Sequence, residues 1–282
     1  MLGLKGKSIG VSAHIGGGKS TFVGEAERQL AEHFKVLSES EYVPATLLAN
    51  FCNNPVENAR DFQTHMHAHA SIRDKHAWEF VKGTGKQDRV ALVERPLCEN
   101  FVFFEANVRA GRLDDKKYRH NYEALWKDYG KYSPDVIVYL HVSNEHAVER
   151  MYRRTETDHD RECEKQYVVD DYMKLLGEEY YKFVVKHSTR KDLPPVLVVD
   201  WNTHIDLSDP AAYSAAVKMV LEKINDYFLG NYKLPNVTIT NELFSLATST
   251  TELNFTNPSE TLFTLARGVD VQLYSPIEIK SS

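Results

Sequence analysis

Short apolar runs alternate with longer segments of helical period along most of the chain. SIGVSA (8–13) reads as a first strand, and from Lys19 onward Phe22, Ala26 and Leu30 recur at helical spacing. FKVLSE (34–39) is a second short strand, and residues 58–82 carry a long helix. RVALVER (89–95) is apolar without alternation, the pattern of a strand covered on both faces. Two helices follow. In the second, Tyr118, Tyr122, Leu125, Trp126, Tyr129 and Tyr132 form the clearest stripe in the sequence, with Asp114 placed to cap it and Pro134 to end it. DVIVYLHV (135–142) is a fourth strand, and Ser143 opens another helix. The polar break TETDHDRE (155–162) precedes one long helix over about 165–187, then a fifth strand, PVLVVDWN (195–202), and an amphipathic helix over about 210–228.

Five apolar strands separated by helices predict an α/β domain with a five-stranded parallel sheet flanked by helices. Ligands on such sheets bind beyond the carboxyl ends of the strands. Those ends here are AHIGGGK, SESE, ERPLCEN, HVSNE and DWNTH. After Leu229 the character changes to short, alternating, Thr-rich segments: NVTIT, LNFT, TLFTLA and VDVQLYS. The expected division is therefore a main domain over 1–228 and a small β-rich appendage over 229–282.

Composition adds exclusions. The 282 residues carry a net charge of −6, which argues against a general nucleic-acid binder. No run approaches the ~18 apolar residues of a membrane span. Three cysteines without C-x-x-C spacing read as reduced thiols, and no signal or transit peptide is evident, so a cytoplasmic protein is expected.

The chemistry begins at AHIGGGKST (13–21), which follows a strand and opens a helix. It nearly spells the phosphate-binding loop G-x-x-x-x-G-K-[ST], with Ala13 at the first position and Gly18, Lys19 and Ser20 in place. In such a loop the backbone N–H groups cradle phosphate oxygens, the lysine reaches the outer phosphates and the hydroxyl ligates Mg²⁺. Glu94 and Arg95 end the third strand, where they suit a metal-bound water and a phosphoryl oxygen, or form a plain ion pair. Glu39 and Glu41 end the second strand, and either suits a general base. Arg150 and Arg154 share a helical face before the polar break, as lid residues or as a charged helix end. His65 and His69 have zinc-like spacing without a third ligand.

Taken in order, IGGGKS, LSE, FQ (62–63), ER (94–95), FVFFEANVRAG, LWKDY, DVIVYLHVSNEHAVERMYRR and VLVVDWN resemble the deoxynucleoside kinase family over residues 7–204. The resemblance implies a P-loop NTPase-type three-layer α/β sandwich, phosphorylation of a deoxynucleoside 5′-hydroxyl by ATP with Mg²⁺, and a homodimer. It implies that Gly16, Gly17, Gly18, Lys19, Ser20 and Thr21 hold ATP phosphates and that Arg150 and Arg154 close over them, with Asp200 near the adenine. Glu39 is implied as the base, and Ser20 and Glu94 as metal ligands, with Glu94 also near the substrate. Arg95 is implied to orient the hydroxyl, Gln63 to bond the base edge, Phe103 to stack on the base, Asn100 to set base preference and Asp158, or the position of its neighbour His159, to touch the sugar. Ala13, Pro96, where a serine usually stands, and Glu156, in place of a lid arginine, depart from the family pattern. Two other functions compete: a non-catalytic nucleotide-binding subunit of the same fold, as in respiratory complex I, and a nucleoside monophosphate kinase. The acidic SESEYV speaks against the latter.

Overall fold

The structure, a computed structural model, describes residues 1–83, 88–169, 171–201, 209–233, 261–264 and 270–273. A 3₁₀ turn at Leu2–Leu4 leads into β1 (Lys7–Ala13), followed by α1 (Lys19–Leu30) and β2 (Lys35–Glu39). Next come α2 (Ala45–Asn53), α3 (Pro55–Lys82), β3 (Arg89–Glu94), α4 (Leu97–Arg109) and α5 (Asp115–Tyr129). The domain continues through β4 (Val136–His141), α6 (Asn144–Thr157), a 3₁₀ segment (His159–Lys165), α7 (Gln166–Val169), α8 (Tyr172–Thr189), β5 (Val196–Asp200) and α9 (Pro210–Phe228).

The five strands form one parallel sheet in the order β2-β3-β1-β4-β5. The uninterrupted apolar runs are explained by burial on both faces. In β3, Val90 and Leu92 join the main core, while Ala91 and Val93 pack against Ala77 and Val81 of α3. The order reverses on either side of β1, so the loops after β1 and β3 open a crevice at the carboxyl edge. The stripe on α5 turns inward, burying Tyr118 and Tyr122 against Phe104. Asp114 caps that helix by accepting from the Lys116 N–H at 3.0 Å.

Two elements differ from the expectation. Helix α2, with Leu48, Phe51 and Cys52 buried, has no counterpart in the sequence reading. At nine residues, bounded by Pro44 and by Asn54 and Pro55, it is too short to show a period. The single helix expected over 165–187 is divided, with Asp171 at φ 54° just before α8. Of the tail, β6 (Thr261–Thr264) and β7 (Asp270–Leu273) pair antiparallel, in agreement with two of the four expected segments. NVTIT and LNFT lie outside the described residues.

Candidate active site

The turn after β1 is built on glycine where the backbone demands it. Gly16 and Gly18 take φ of 76° and 83°, the left-handed region that L side chains rarely adopt. Gly17 closes the turn by donating its N–H to the His14 carbonyl at 2.9 Å, and a Cβ there would fall 2.6 Å from the Ala13 methyl. Ala13 itself is the last residue of β1, in register with Leu140 and fully buried, so the departure from glycine lies in extended backbone. His14 is buried with carbonyl oxygens at both ring nitrogens, Met173 at 2.8 Å and Ile15 at 3.2 Å. Burial pushes its pKa down to about 4, so the neutral ring has one N–H to share between them. Lys19, at the start of α1, donates Nζ to the Ala13 carbonyl at 3.3 Å. Burial and then the Arg95 charge lower its pKa.

Beside the loop, the end of β3 turns sharply. Arg95 sits at φ 52°, and Arg73 of α3 donates Nη2 to the carbonyls of Glu94, at 3.3 Å, and Arg95, at 3.0 Å. Asp74 accepts from the Leu97 N–H at 3.1 Å and so ties the start of α4 to the same helix. Pro96 stands at the head of α4, where its missing N–H leaves no helix bond unmade. The turn aims Glu94 and Arg95 at the loop. Ser20 donates Oγ to Glu94 Oε1 at 2.7 Å, and Glu94 Oε2 accepts from the Glu41 N–H at 3.3 Å. Arg95 spans two carboxylates, with Nε 2.8 Å from Glu41 and Nη1 2.8 Å from Glu99. Burial alone would raise the Glu41 pKa, but Arg95 and Lys19 outweigh it and hold the carboxyl at about 2. In Glu99, fully buried, burial wins over Arg95 and the pKa rises. The Tyr180 hydroxyl completes the cluster, contacting Glu99, Arg95 Nη1 at 2.8 Å and the Ala13 carbonyl at 2.7 Å.

The glycine loop, Lys19, Ser20, Glu41, Glu94 and Arg95 form the floor of a cavity of about 550 Å³, with Glu99 and Tyr180 behind Arg95. One wall is aromatic, with Phe51 stacked on Phe62 at 4.6 Å between ring centroids and Tyr167 and Tyr172 adjoining. Gln63 lines the same space, and its buried Oε1 has no hydrogen-bond partner among the described residues. Opposite, Phe103 carries the Arg95 guanidinium 4.2 Å from its ring centre, and Asn100 lies beside it. The rim is basic: Arg150, Arg153, Arg154 and Arg161. Arg150 donates to the Trp201 carbonyl at 3.1 Å, while Arg154 and Arg161 both pair with the buried Glu164.

Gly16, Gly17, Gly18, Lys19, Ser20, Thr21, Gln63, Glu94, Arg95, Asn100, Phe103, Arg150 and Arg154 are thus brought to one cavity. Three expected residues lie elsewhere. Glu39 does not line it: its carboxylate faces His76 at 3.5 Å, and Glu41, two positions on and past the end of the strand, takes the place at Arg95. Asp158 is exposed at the end of α6, and the carboxylate on that side of the cavity is Glu164. Asp200 is buried at the end of β5, in register with His141, and does not line the cavity. The sequence reading missed Glu99, Tyr180, Arg161 and Glu164, residues within helices or a 3₁₀ turn that no strand-end pattern marks. Among the described residues no group of three metal-ligating side chains forms around His65 and His69, whose rings lie 4.2 Å apart.

A glycine loop between β1 and α1 and a carboxylate–arginine pair on β3 line one cavity of about 550 Å³, an arrangement suited to a phosphotransferase. A family model for deoxynucleoside kinases matches residues 9–227, and the chain belongs to that family. It is a deoxynucleoside kinase by membership, and its substrate is a nucleoside. Among solved structures, deoxyadenosine kinase from M. mycoides with bound dATP shares 22% identity at a TM-score of 0.57, covering 77% of this chain and 98% of its own. The dCTP-bound form gives 19% and 0.56, over 78% and 99%. The form with dCMP and a flexible dCDP gives 20% and 0.56, over the same shares. At this identity the likeness speaks for the fold. No significant match is found among curated proteins. No helix among the described residues is long and apolar enough to cross a membrane.

Proposed function

We propose that the chain transfers the terminal phosphoryl group of ATP to the 5′-hydroxyl of a deoxynucleoside bound between Gln63, Phe103 and the aromatic wall. The observation that carries this reading is the row Ser20, Glu94, Arg95 and Glu41 beside the glycine loop on the floor of one cavity. The loop amides and Lys19 would hold the outer phosphates, and Arg150, Arg154 and Arg161 would close on them from the rim. A hydroxyl and a carboxylate oxygen 2.7 Å apart are a donor set suited to Mg²⁺, so Ser20 and Glu94 would hold the ion, which offsets phosphate charge when bound. Gln63, with its unpartnered acceptor, would bond an amino or imino N–H on the edge of the base.

Glu41 is the acceptor for the hydroxyl proton. A carboxyl at about 2 is a weak base, yet it is always ionised, and phosphoryl transfer demands positioning and charge stabilisation more than a strong base. Arg95, fixed by Glu41 on one edge and Glu99 on another, would present its remaining N–H to the reacting oxygens. A homodimer belongs to the same reading through the family resemblance, as does a reducing compartment, since all three cysteines are unpaired.

Labelled ATP offered with each of the four deoxynucleosides, and with dTMP, tests the proposal. Product is expected with at least one deoxynucleoside and not with dTMP, and Lys19→Ala should lose it. Glu41→Gln should lower kcat by about 10²-fold or more with ATP affinity retained, whereas Glu39→Gln should stay within about threefold. The reverse ranking would return the base to Glu39. ATP binding without turnover on any nucleoside would support the accessory-subunit function instead.

A further inference from the structure

Outside the substrate cavity lies a second recess of about 440 Å³, lined by Cys52, Asn53 and Pro55 on one side and Glu162, Cys163 and Lys165 on the other. Cys52 is buried at the end of α2, and Cys163 is half-exposed on the 3₁₀ segment His159–Lys165. Both are free thiols, and each is the other's hydrogen-bond partner across the recess. The two differ in character. The contact with Cys52 pulls the Cys163 pKa down, while the same contact and then burial push Cys52 up, so Cys163 is the more acidic thiol of the pair. Each cysteine adjoins the wall of the substrate cavity: Leu48 and Phe51 on the Cys52 side, Arg161 and Glu164 on the Cys163 side.

We propose that Cys52 and Cys163 are an oxidative modification site, converted by a hydroperoxide into a disulfide that staples the 3₁₀ segment to α2 and arrests the arginine rim. The Cys163 thiolate attacks the peroxide O–O bond, becoming a sulfenic acid and releasing hydroxide. The Cys52 sulfur then displaces the sulfenic hydroxyl, the S–S bond forms and the Cys52 proton leaves with water. Two thiols lose two electrons and one hydrogen peroxide is reduced to two waters. Cysteines on two different elements that line one recess face each other across it, the arrangement a cross-link between those elements requires. The recess gives the oxidant access to Cys163, and Cys98, buried in α4, has neither a partner cysteine nor that access. Because Glu164, next in sequence to Cys163, holds both Arg154 and Arg161, fixing the segment fixes the rim. This effect on turnover rests on the kinase reading; formation of the cross-link does not.

The test uses the full chain, reduced, freed of reductant and treated with hydrogen peroxide, then alkylated and digested without reduction. A peptide pair joined through Cys52 and Cys163 is expected by mass spectrometry, with free thiols falling from three to one. Sulfinic acid on Cys163 without the joined pair, or three persisting thiols, would overturn the proposal. In the oxidised protein kcat should fall about tenfold and return with dithiothreitol. Cys163→Ser, at the half-exposed position, and Cys52→Ala should keep their turnover under the same peroxide. Unchanged turnover in cross-linked protein, or equal loss in Cys163→Ser, would overturn the arrest of the rim. A reduced chain with no turnover at all would count against the kinase reading, with the cross-link still read by mass.

Discussion

At the scale of single residues, Ala13 and Gly17 illustrate how a motif can mislead by one position. A glycine at the start of the loop suggests a need for left-handed backbone, but here that need falls on Gly16 and Gly18, while Ala13 is still strand. The methyl of Ala13 instead limits Gly17, whose missing Cβ would sit 2.6 Å from it and 2.9 Å from the His14 carbonyl. Ala13→Gly should therefore leave ATP affinity within about twofold and cost roughly 0.5–1 kcal/mol of stability through the strand backbone. Gly17→Ala should abolish measurable ATP binding, because one of its two clashes is with backbone that cannot rotate away. Isothermal titration and thermal melts of both variants separate the two effects; an ATP affinity in Gly17→Ala equal to wild type would contradict the packing. The same one-or-two-residue ambiguity explains Glu39. SESE placed two acids at a strand end, and which of them reaches Arg95 depends on where pairing with β3 stops, at Glu39 and Val93. Residue type and order carried the cavity floor; side-chain direction past the last paired residue did not show in the sequence.

At the scale of elements, the strands and long helices were legible because burial on one or both faces leaves a period. Helix α2 was not, although it supplies Leu48 and Phe51 to the cavity, since nine residues between prolines leave only about two and a half turns to read. Nor could the sequence show that α3 braces the β3–α4 corner, through contacts between residues 21 to 23 positions apart. Arg73 holds the two carbonyls of the turn and Asp74 holds the Leu97 N–H, so the left-handed Arg95 is kept in place from outside its own segment. Burial pushes the Asp74 pKa up to about 8. A carboxyl raised from 3.8 binds more protons folded than unfolded, so it favours the fold while protonated and loses that contribution as pH rises toward 8. Asp74→Asn keeps an acceptor for Leu97 and stays neutral. Its melting advantage over wild type should be larger at pH 8.5 than at pH 5 by roughly 3 °C or more. An equal shift at both values would mean that Asp74 is not the titrating group.

For the whole molecule, the parallel sheet closes over histidines that the sequence could not distinguish from surface ones. His14 in the glycine loop, His67 in α3, His141 in β4 and His187 in α8 are all buried, and burial lowers each to about 4. The sign is opposite to that of Asp74: the unfolded chain binds protons near pH 6.5 that the folded chain refuses until about 4. Their contribution is therefore complete above pH 6.5 and is lost as pH falls toward 4. A depression of about two units is worth roughly 3 kcal/mol per ring, so four rings rival the ~5–15 kcal/mol of a typical domain. Four imidazoles on one side and one carboxyl on the other predict an asymmetric profile. Melting temperature should climb steeply from pH 4.5 to 6.5 and then decline gently to pH 8, the gentle limb flattening in Asp74→Asn. Calorimetry across that range in salt-matched buffers measures both limbs, and a flat acid limb would show that the rings are reached by solvent. The loop shares in this, since His14 binds the Met173 carbonyl only while α8 and the sheet enclose it. ATP affinity should consequently begin to fail along the same acid limb, ahead of global unfolding, as protonation of His14 loosens the turn that holds Gly16 to Gly18.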